Sequence, residues 1–583
     1  MKARTLLLST IAPLTILTTA SLASCGKTHE EEEEDEIKSV FFKTPAVARK
    51  VYVYDASADP DNDRIIMLES LQGILAQNQA QLYIKGADHT GVGGAAKLSR
   101  DQWFDDAVEK YGIEVEEIDN PWQVVRHFRN QINGNYIVYE KAKGEVDPIT
   151  HKDTRDWNKS INLATTIAGV EGYLMMSKEL EEVSSEFITD INLTKAMDLA
   201  QNPLKSTDVF NKYKDKLNNT LLINQSPYDA PLRDYAIASK AFTIYLDDED
   251  PFNRTRFSEW LKDNSPILGW NKGELSFVAT QSYYNLPMLA ADHCTNLSFY
   301  SNYVPPSLTQ KHQPKIEATP NTKYVAIVMS DGDNLQWMQD DFYQSTKWFN
   351  LGYHGGDFPI TWTMPPAAYD LNPTIVEKLY SAVKETDQFI AGPSGFAYGN
   401  MAQYQDTEQF AKITAAYMKK CDLNYVNVLD YYDCDARKFD SLMKQDQVKG
   451  AVWSNRDLYM SGHGSVNWIN DKPVVSMRDG LWYNKDDQGV EVHKDLSPEA
   501  VANRIINDYS DDIHTIDAYT VITANAWAQG GQLAGIIELW RYLKDVPNVK
   551  IVTVEQILQL INDNVPHIDA VPEKYGPCPD VPD

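Results

Sequence analysis

Cysteine is scarce in this sequence, which has five in 583 residues. Cys25 lies in an N-terminal leader described below, and the other four are Cys294, Cys421, Cys434 and Cys578. These four form no CxxC pair and no repeated spacing, so the sequence predicts neither a disulfide framework nor a cysteine-based zinc cluster. One disulfide remains open, but the sequence does not select its partners.

Paired histidines are also absent. None of the 11 histidines belongs to an HExxH or HxxxH pair, the spacings that bring two imidazoles to one metal ion. No arrangement of serine, histidine and acid typical of nucleophilic hydrolases is evident. The sequence therefore predicts an activity that needs neither a bound metal nor a cofactor.

Positive charge is in deficit. The chain has 54 Lys and Arg against 83 Asp and Glu, a net charge of −29, which argues against binding to nucleic acid or to an anionic lipid surface. A neutral or weakly charged ligand fits better. Most of the 32 Tyr and 13 Trp must lie in the core, but a minority could stack on sugar rings, so we expect a carbohydrate ligand. We also expect the protein to be a monomer.

The N-terminal apolar segment, residues 6–17, is too short for a lasting membrane anchor. Leu22-Ala23-Ser24-Cys25 follows and resembles a bacterial lipoprotein cleavage box, which predicts a signal peptide over residues 1–24 and a lipidated Cys25. An ordinary secretory signal with a chance cysteine is the alternative. Residues 25–42 contain an acidic run and predict a flexible tether, similar to the export signal of Bacteroidetes surface lipoproteins. We expect an exported lipoprotein on the outer membrane or cell surface, or facing the periplasm.

Apolar runs that alternate with helical spacing predict α/β structure after the tether. We predict one α/β domain over residues 43–135, a second α/β region over 136–305 and a linker over 306–320. The expected strands are residues 51–54, 81–84, 136–139, 221–224, 242–246 and 277–280, with helices over 65–75 and 165–176.

Eight more strands alternate with helical segments over residues 321–565: residues 324–329, 360–364, 388–392, 425–429, 450–453, 474–477, 519–524 and 550–554. Their number and spacing predict a (β/α)8 barrel of the TIM type, with a seven-stranded variant as the alternative. Closure is least secure between the fifth and sixth strands, where no helix is evident. Residues 566–583 form a tail.

Acidic residues follow several of these strands, at the barrel rim where active sites lie. The segment VAIVMSDGDNLQW (325–337) places Asp331 and Asp333 after the first strand. Asp430 and Asp433 follow the fourth strand, and Asp479 follows the sixth. Asp430 ends a strand expected to be buried, where an unpaired charge is costly, which favours a functional role. Asp333 could instead cap a helix, and Asp479 could pair with Arg478.

Amides, indoles and hydroxyls share this rim and predict a substrate-binding surface. The candidates are Asp333, Asn334, Trp362, Ser394, Tyr398, Asp433, Asn455, Arg478, Asn525 and Trp527. The simpler interpretation of the two indoles is burial in the barrel core, and that of Ser394 is a tight turn.

Four motifs together carry a family resemblance: SDGDN, GPSGFAYG, NAW and IVTVEQIL. They resemble the GxGYxYP family, described as glycoside hydrolases on the strength of its likeness to known glycosidases. The resemblance implies N-terminal α/β domains, a catalytic barrel-like domain and an origin in Bacteroidetes. Gly395 and Tyr398 fit the naming motif, whereas Ala397, Asn400 and Met401 replace its second glycine, its second tyrosine and its proline.

A glycoside hydrolase needs one carboxylic acid to protonate the leaving oxygen and a second carboxylate as nucleophile or base. Asp430 is the expected nucleophile or base and Asp331 or Asp479 the expected acid, with Asp333 and Asn334 holding sugar hydroxyls. A metal-dependent carbohydrate esterase or phosphohydrolase is an alternative, since Asp331-x-Asp333 could hold Mg²⁺. A non-catalytic glycan-binding surface lipoprotein is another.

Overall fold

The computed structural model describes residues 39–58, 60–86, 97–147, 150–304, 307–349, 356–431, 435–455, 457–486 and 488–573. The predicted signal peptide, the lipidation site Cys25 and nearly all of the tether lie outside these residues. Over the part that is described, no helix combines the length and the apolar composition needed to cross a membrane.

Three small parallel sheets form the N-terminal half. The first has the order β2-β1-β3 and contains β1 (Lys50–Asp55), β2 (Leu82–Lys85) and β3 (Glu114–Glu117) with helices α1 (Asn62–Ala76), α2 (Lys97–Tyr111) and α3 (Pro121–His127). The second has the order β5-β4-β6 and contains β4 (Asn135–Tyr139), β5 (Leu174–Ser177) and β6 (Thr194–Asp198) with α4 (Ser160–Glu171), α5 (Lys178–Val183) and α6 (Ser185–Ile191).

The third sheet has the order β10-β9-β7-β8. Its strands and helices are β7 (Asn218–Asn224), β8 (Ala241–Ile244), β9 (Ile267–Gly269), β10 (Met288–Leu289), α7 (Ser206–Tyr213), α8 (Arg233–Ala238), α9 (Pro251–Trp260), α10 (Glu274–Tyr283) and α11 (Leu297–Tyr300). The region predicted as one α/β unit over residues 136–305 thus contains two separate sheets.

One predicted N-terminal helix ends too late, and one predicted strand is wrong. The helix expected over residues 165–176 ends at Glu171, because Gly172 has a left-handed φ of 71° and the following apolar residues form β5. The strand expected over residues 277–280 lies inside α10, whose buried Phe277, Val278, Gln281 and Ser282 recur at helical spacing. A four-residue apolar run does not by itself distinguish a strand from the buried side of a helix.

A curled, mostly parallel sheet of ten strands forms the C-terminal half, in the order β16-β17-β15-β14-β13-β12-β11-β21-β18, with β22 beside β11. Its strands are β11 (Lys323–Met329), β12 (Thr361–Met364), β13 (Gln388–Ala391), β14 (Tyr425–Asp430), β15 (Gly450–Asn455), β16 (Val466–Ile469), β17 (Lys472–Ser476), β18 (Asp479–Leu481), β21 (Tyr519–Ala524) and β22 (Val549–Val552). A separate pair, β19 (Asn484–Lys485) and β20 (Glu491–Val492), is antiparallel.

The helices of this half are α12 (Leu335–Gln339), α13 (Ala368–Leu371), α14 (Pro373–Ala382), α15 (Thr407–Lys420), α16 (Asp440–Met443), α17 (Pro498–Asn507), α18 (Leu533–Leu543) and α19 (Val554–Asn564). All eight predicted strands are present, but a complete (β/α)8 barrel is not confirmed. The seventh predicted strand, β21, pairs directly with β11, which also pairs with β22. An antiparallel hairpin of β16 and β17 stands where no helix was evident. The sixth predicted strand is β17, which pairs with β15. It leads directly into β18, which pairs with β21.

One apolar core joins the N-terminal sheets to the strand ends of the large sheet. It extends from Tyr54 in β1 to Met288 in β10 and includes Tyr398, Leu429 and Tyr459 of the C-terminal half. The backbones of Met288 and Tyr398 exchange two hydrogen bonds of 2.8 and 2.9 Å. The third sheet and its helices therefore pack directly against the carboxyl ends of the large sheet, where sites form in α/β folds.

Candidate active site

A cavity of about 160 Å³ lies at the carboxyl ends of the large sheet, between those strands and α10. Its lining is rich in acids, amides and aromatic rings: Trp270, Glu274, Ala290, Ser330, Asp331, Asp333, Asn334, Gln336, Pro393, Tyr398, Asn427, Leu429, Ser454, Tyr459 and Trp527. The structure thus brings together five of the residues predicted from the sequence, namely Asp331, Asp333, Asn334, Tyr398 and Trp527.

Asp331 follows β11 directly and has a left-handed backbone, with φ of 66°. Asp and Asn tolerate this region better than other residues with a Cβ, although it is sparsely populated and clusters at functional sites. The Ser330 hydroxyl and the indole N–H of Trp527 (3.0 Å) both donate to the carboxylate. Burial raises the pKa of Asp331, while these two hydrogen bonds oppose the rise by favouring the anion.

Glu274 reaches the cavity from the opposite side, as the first residue of α10. The Tyr398 hydroxyl donates to its carboxylate across 3.4 Å. Burial, and secondly the charge of Asp331, raise the pKa of Glu274 to about 7. This carboxyl group therefore holds its proton near neutral pH, as a general acid must.

Asp333 is buried beside the other two acids. Burial, the charge of Asp331 and the charge of Glu274 raise its pKa well above the ordinary value. The helix-capping role considered for Asp333 belongs to Asn334, whose side chain accepts a hydrogen bond from the backbone N–H of Trp337 at 3.2 Å. The cavity thus contains three interacting carboxyl groups, of which Asp331 has the donors that favour ionisation.

Aromatic side chains surround these acids. Tyr398 and Tyr459 are buried and line the cavity, and the Tyr431 ring lies 5.7 Å from that of Tyr459. Trp527 is 38% exposed and so lies at the rim of the cavity, not in the core. Aromatic faces beside hydrogen-bonding acids are suited to a sugar ring, which has apolar C–H faces and a polar edge.

Asp430, the carboxylate first expected to act as nucleophile, does not line the cavity. Its side chain is buried and accepts a hydrogen bond of 2.9 Å from the backbone N–H of Ala402. This contact anchors the loop after β13 to the end of β14. Asp433, a predicted substrate-binding residue, lies outside the described residues.

Asp479, the other predicted catalytic acid, forms a buried ion pair with Arg504 at 2.6 and 2.9 Å and accepts a hydrogen bond from Tyr509. Arg478 was its expected partner, but Arg478 precedes β18 and contacts other groups. Arg478 instead packs over the Tyr509 ring and donates to the backbone carbonyl of Asp517 at 2.7 Å. Neither residue lines the cavity, and the contacts of both are with structural partners.

We expect Asp479→Asn to destabilise the fold without changing turnover, because it leaves the Arg504 guanidinium beside a neutral group in a buried site. Breaking a buried ion pair costs about 3–5 kcal/mol, which chemical denaturation would measure. A loss of turnover in folded Asp479→Asn, at unchanged stability, would return Asp479 to the catalytic residues.

Trp362 and Ser394 are also core residues that do not line the cavity. The Trp362 indole is 2% exposed and donates to the Asp387 carboxylate at 2.9 Å. The Ser394 hydroxyl donates to the carbonyl of Leu429 and accepts from its N–H, which ties the segment after β13 to β14. The structure therefore does not bring these two predicted substrate-binding residues to the cavity.

Asn455 and Asn525 support loops and are likewise absent from the lining. The Asn455 side chain accepts from the backbone N–H of Gly462 at 2.9 Å. The Asn525 side chain accepts from the N–H groups of Trp527 and Ala528, which fixes the turn that carries the Trp527 indole. Asn525 therefore positions a cavity residue and does not itself line the cavity.

Glu274 was missed because it lies outside the predicted catalytic domain, just before a segment assigned to a strand. The only local signal is a glutamate after Gly273 and before a run of buried residues. Over the described residues, no group of three or more His, Cys, Asp or Glu side chains is arranged to hold a metal ion.

Comparison with known proteins bears on the whole chain. A crystal structure from Bacteroides thetaiotaomicron, described as a "putative hydrolase", superposes with a TM-score of 0.75 at 24% identity and covers 91% of this chain and 98% of that chain. This likeness establishes the shared fold. No curated protein matches the sequence.

Three family models match in chain order. Residues 50–130 match the first GxGYxYP N-terminal domain, residues 219–302 the third GxGYxYP domain, and residues 321–562 the "GxGYxYP putative glycoside hydrolase C-terminal domain". Together with the SDGDN and GPSGFAYG motifs, these matches confirm the resemblance found in the sequence. The chain belongs to the GxGYxYP family.

Proposed function

We propose that this protein is a glycoside hydrolase in which Glu274 is the general acid and Asp331 is the nucleophile or the base that activates water. The observation that carries this proposal is a pair of buried cavity carboxyl groups that differ in their hydrogen-bond donors and neighbouring charges. Glu274 has a pKa raised to about 7, whereas Asp331 receives two side-chain hydrogen bonds that favour its anion. The description of the family's C-terminal domain supports the same reaction class.

The two roles follow from the electrostatics. The charge of Asp331 raises the pKa of both Glu274 and Asp333, so Asp331 ionises first and its neighbours keep their protons. A protonated Glu274 can donate to the glycosidic oxygen while the Asp331 carboxylate stabilises or attacks the developing cation at the sugar. Asp333 and Asn334 then hold sugar hydroxyls.

This assignment gives a chemical role to the third sheet and its helices, here called the third α/β region. Glu274 belongs to residues 219–302 and Asp331 to residues 321–562, which match different family models. The active site is completed only when both regions pack together. Activity measurements should therefore use the full chain.

Replacing Trp527 with phenylalanine should shift the acidic limb of the pH–activity profile to higher pH. The indole N–H donates to Asp331 and favours its anion, so its removal raises the pKa of Asp331. Activity is then lost at a higher pH as the carboxylate is protonated, while the aromatic rim is kept. The measurement is kcat/KM against pH.

Trp270→Phe is the matched control, because it changes another cavity indole but leaves the Trp527–Asp331 hydrogen bond in place. Its acidic limb should coincide with that of the parent. An unmoved limb in Trp527→Phe would mean that Asp331 does not need its charge for turnover.

The direct test of the reaction class is a screen of nitrophenyl glycosides and glycans with the purified parent. Release of nitrophenol by the parent and not by Asp331→Asn supports hydrolysis in this cavity. Binding of glycans without turnover on the whole panel would favour a non-catalytic glycan-binding protein.

A further inference from the structure

We propose that the cavity accepts one uncharged sugar from the end of a glycan, so that the protein removes terminal residues and does not cut within chains. This inference rests on the proposed function and specifies its substrate class. Three properties of the cavity carry it: its size, its closed side and the charges of its lining.

The size limits the ligand to about one ring. The cavity encloses about 160 Å³, whereas pockets for drug-sized ligands typically measure about 300–1,000 Å³. A single pyranose is the largest unit that such a space accommodates together with its hydrogen-bond partners. The remaining part of a glycan must lie outside, beyond the exposed Trp527 at the rim.

The third α/β region closes one side of the cavity. The backbones of Met288 and Tyr398 are hydrogen-bonded to each other, and the N–H of Leu335 donates a hydrogen bond to the carbonyl of Ala290 at 2.9 Å. A groove that held a continuous chain would need to be open at this side as well as at the rim. These backbone contacts make the site a pocket with a blind end.

Among the described residues, the cavity lining contains acidic side chains and no cationic one. Glu274, Asp331 and Asp333 line the cavity, and no Lys, Arg or His does so among its described residues. The carboxylate of a uronic acid or the sulfate of a sulfated sugar would enter beside these acids, with no cation among the described lining residues to compensate its lost hydration, which is strongly unfavourable. An uncharged sugar can instead donate its hydroxyls to the acids and to the polar side chains of Asn427 and Ser454.

Matched pairs of nitrophenyl hexosides and nitrophenyl uronides test the charge preference, because each pair differs only in oxidation of the CH₂OH group to a carboxylate. We expect gluco and galacto pairs, in both anomeric forms, to show kcat/KM at least about 10²-fold higher for the uncharged member of any pair that turns over. Equal or faster turnover of the uronide would overturn the inference and leave the proposed hydrolysis standing.

A linear oligosaccharide of the preferred sugar tests the terminal mode. The first product that accumulates should be the monosaccharide, separated by chromatography at low conversion. Internal fragments as first products would overturn the inference alone. A parent that hydrolyses no glycoside would overturn both the inference and the proposed function.

Discussion

Glu274→Gln is expected to lower kcat on nitrophenyl glycosides by about 10²–10⁴-fold, the contribution typical of a positioned general acid. Glutamine keeps the shape of the side chain and can still accept the Tyr398 hydrogen bond, but it has no proton to give. In the parent, activity should fall as pH rises through about 7, where Glu274 loses its proton. That alkaline limb should be absent from the residual activity of the variant.

Glu259→Gln is the matched control for this substitution. Glu259 lies on the neighbouring helix α9, is exposed and does not line the cavity, so its replacement should leave both kcat and the alkaline limb unchanged. Full activity in Glu274→Gln would remove Glu274 from the mechanism.

Asp331→Asn is expected to lower kcat by a similar factor, about 10²–10⁴-fold or more. Its stability should change little. Asparagine adopts the left-handed φ of 66° as readily as aspartate does, so the backbone should remain intact. Alanine would add strain at this position and confuse the result. The amide also carries no charge, so the pKa of Glu274 should fall towards its ordinary value in this variant.

The measurements are kcat, thermal unfolding and the pKa of Glu274 by NMR titration. Asp471→Asn is the control, because Asp471 has a similar left-handed φ of 59° but is exposed and remote from the cavity lining. An unfolded Asp331→Asn would contradict the expected stability of the variant. A pKa of Glu274 that does not fall would contradict the proposed coupling of these two acids.

Local patterns predicted the sheet and one half of the site. Asp331 follows an uninterrupted apolar strand, and the strand-end rule for α/β folds places such a residue at the rim. The eight strands were recognisable because each is an apolar run bounded by turn residues. Their pairing was not, because the seventh predicted strand, β21, lies directly beside β11. The sixth, β17, pairs with β15, whereas β18 after it pairs with β21.

The second half of the site depends on contacts between distant segments. Glu274 reaches Asp331 only because the third α/β region packs against the large sheet, and no local pattern encodes that docking. Asp430 was overvalued for a related reason: burial suggested chemistry, but a backbone N–H from another loop satisfies its carboxylate. Asp479 similarly has its partner 25 residues away, at Arg504.

The most direct test of the proposed mechanism is the leaving-group dependence of Glu274→Gln. A dinitrophenolate departs without protonation, whereas an alkyl alcohol requires a proton from the general acid. We expect the variant to keep most of the parent activity on a dinitrophenyl glycoside and to lose it on an alkyl glycoside of the same sugar. A loss of the same size on both substrates, or on neither, would contradict the assignment of Glu274 as the acid of this active site.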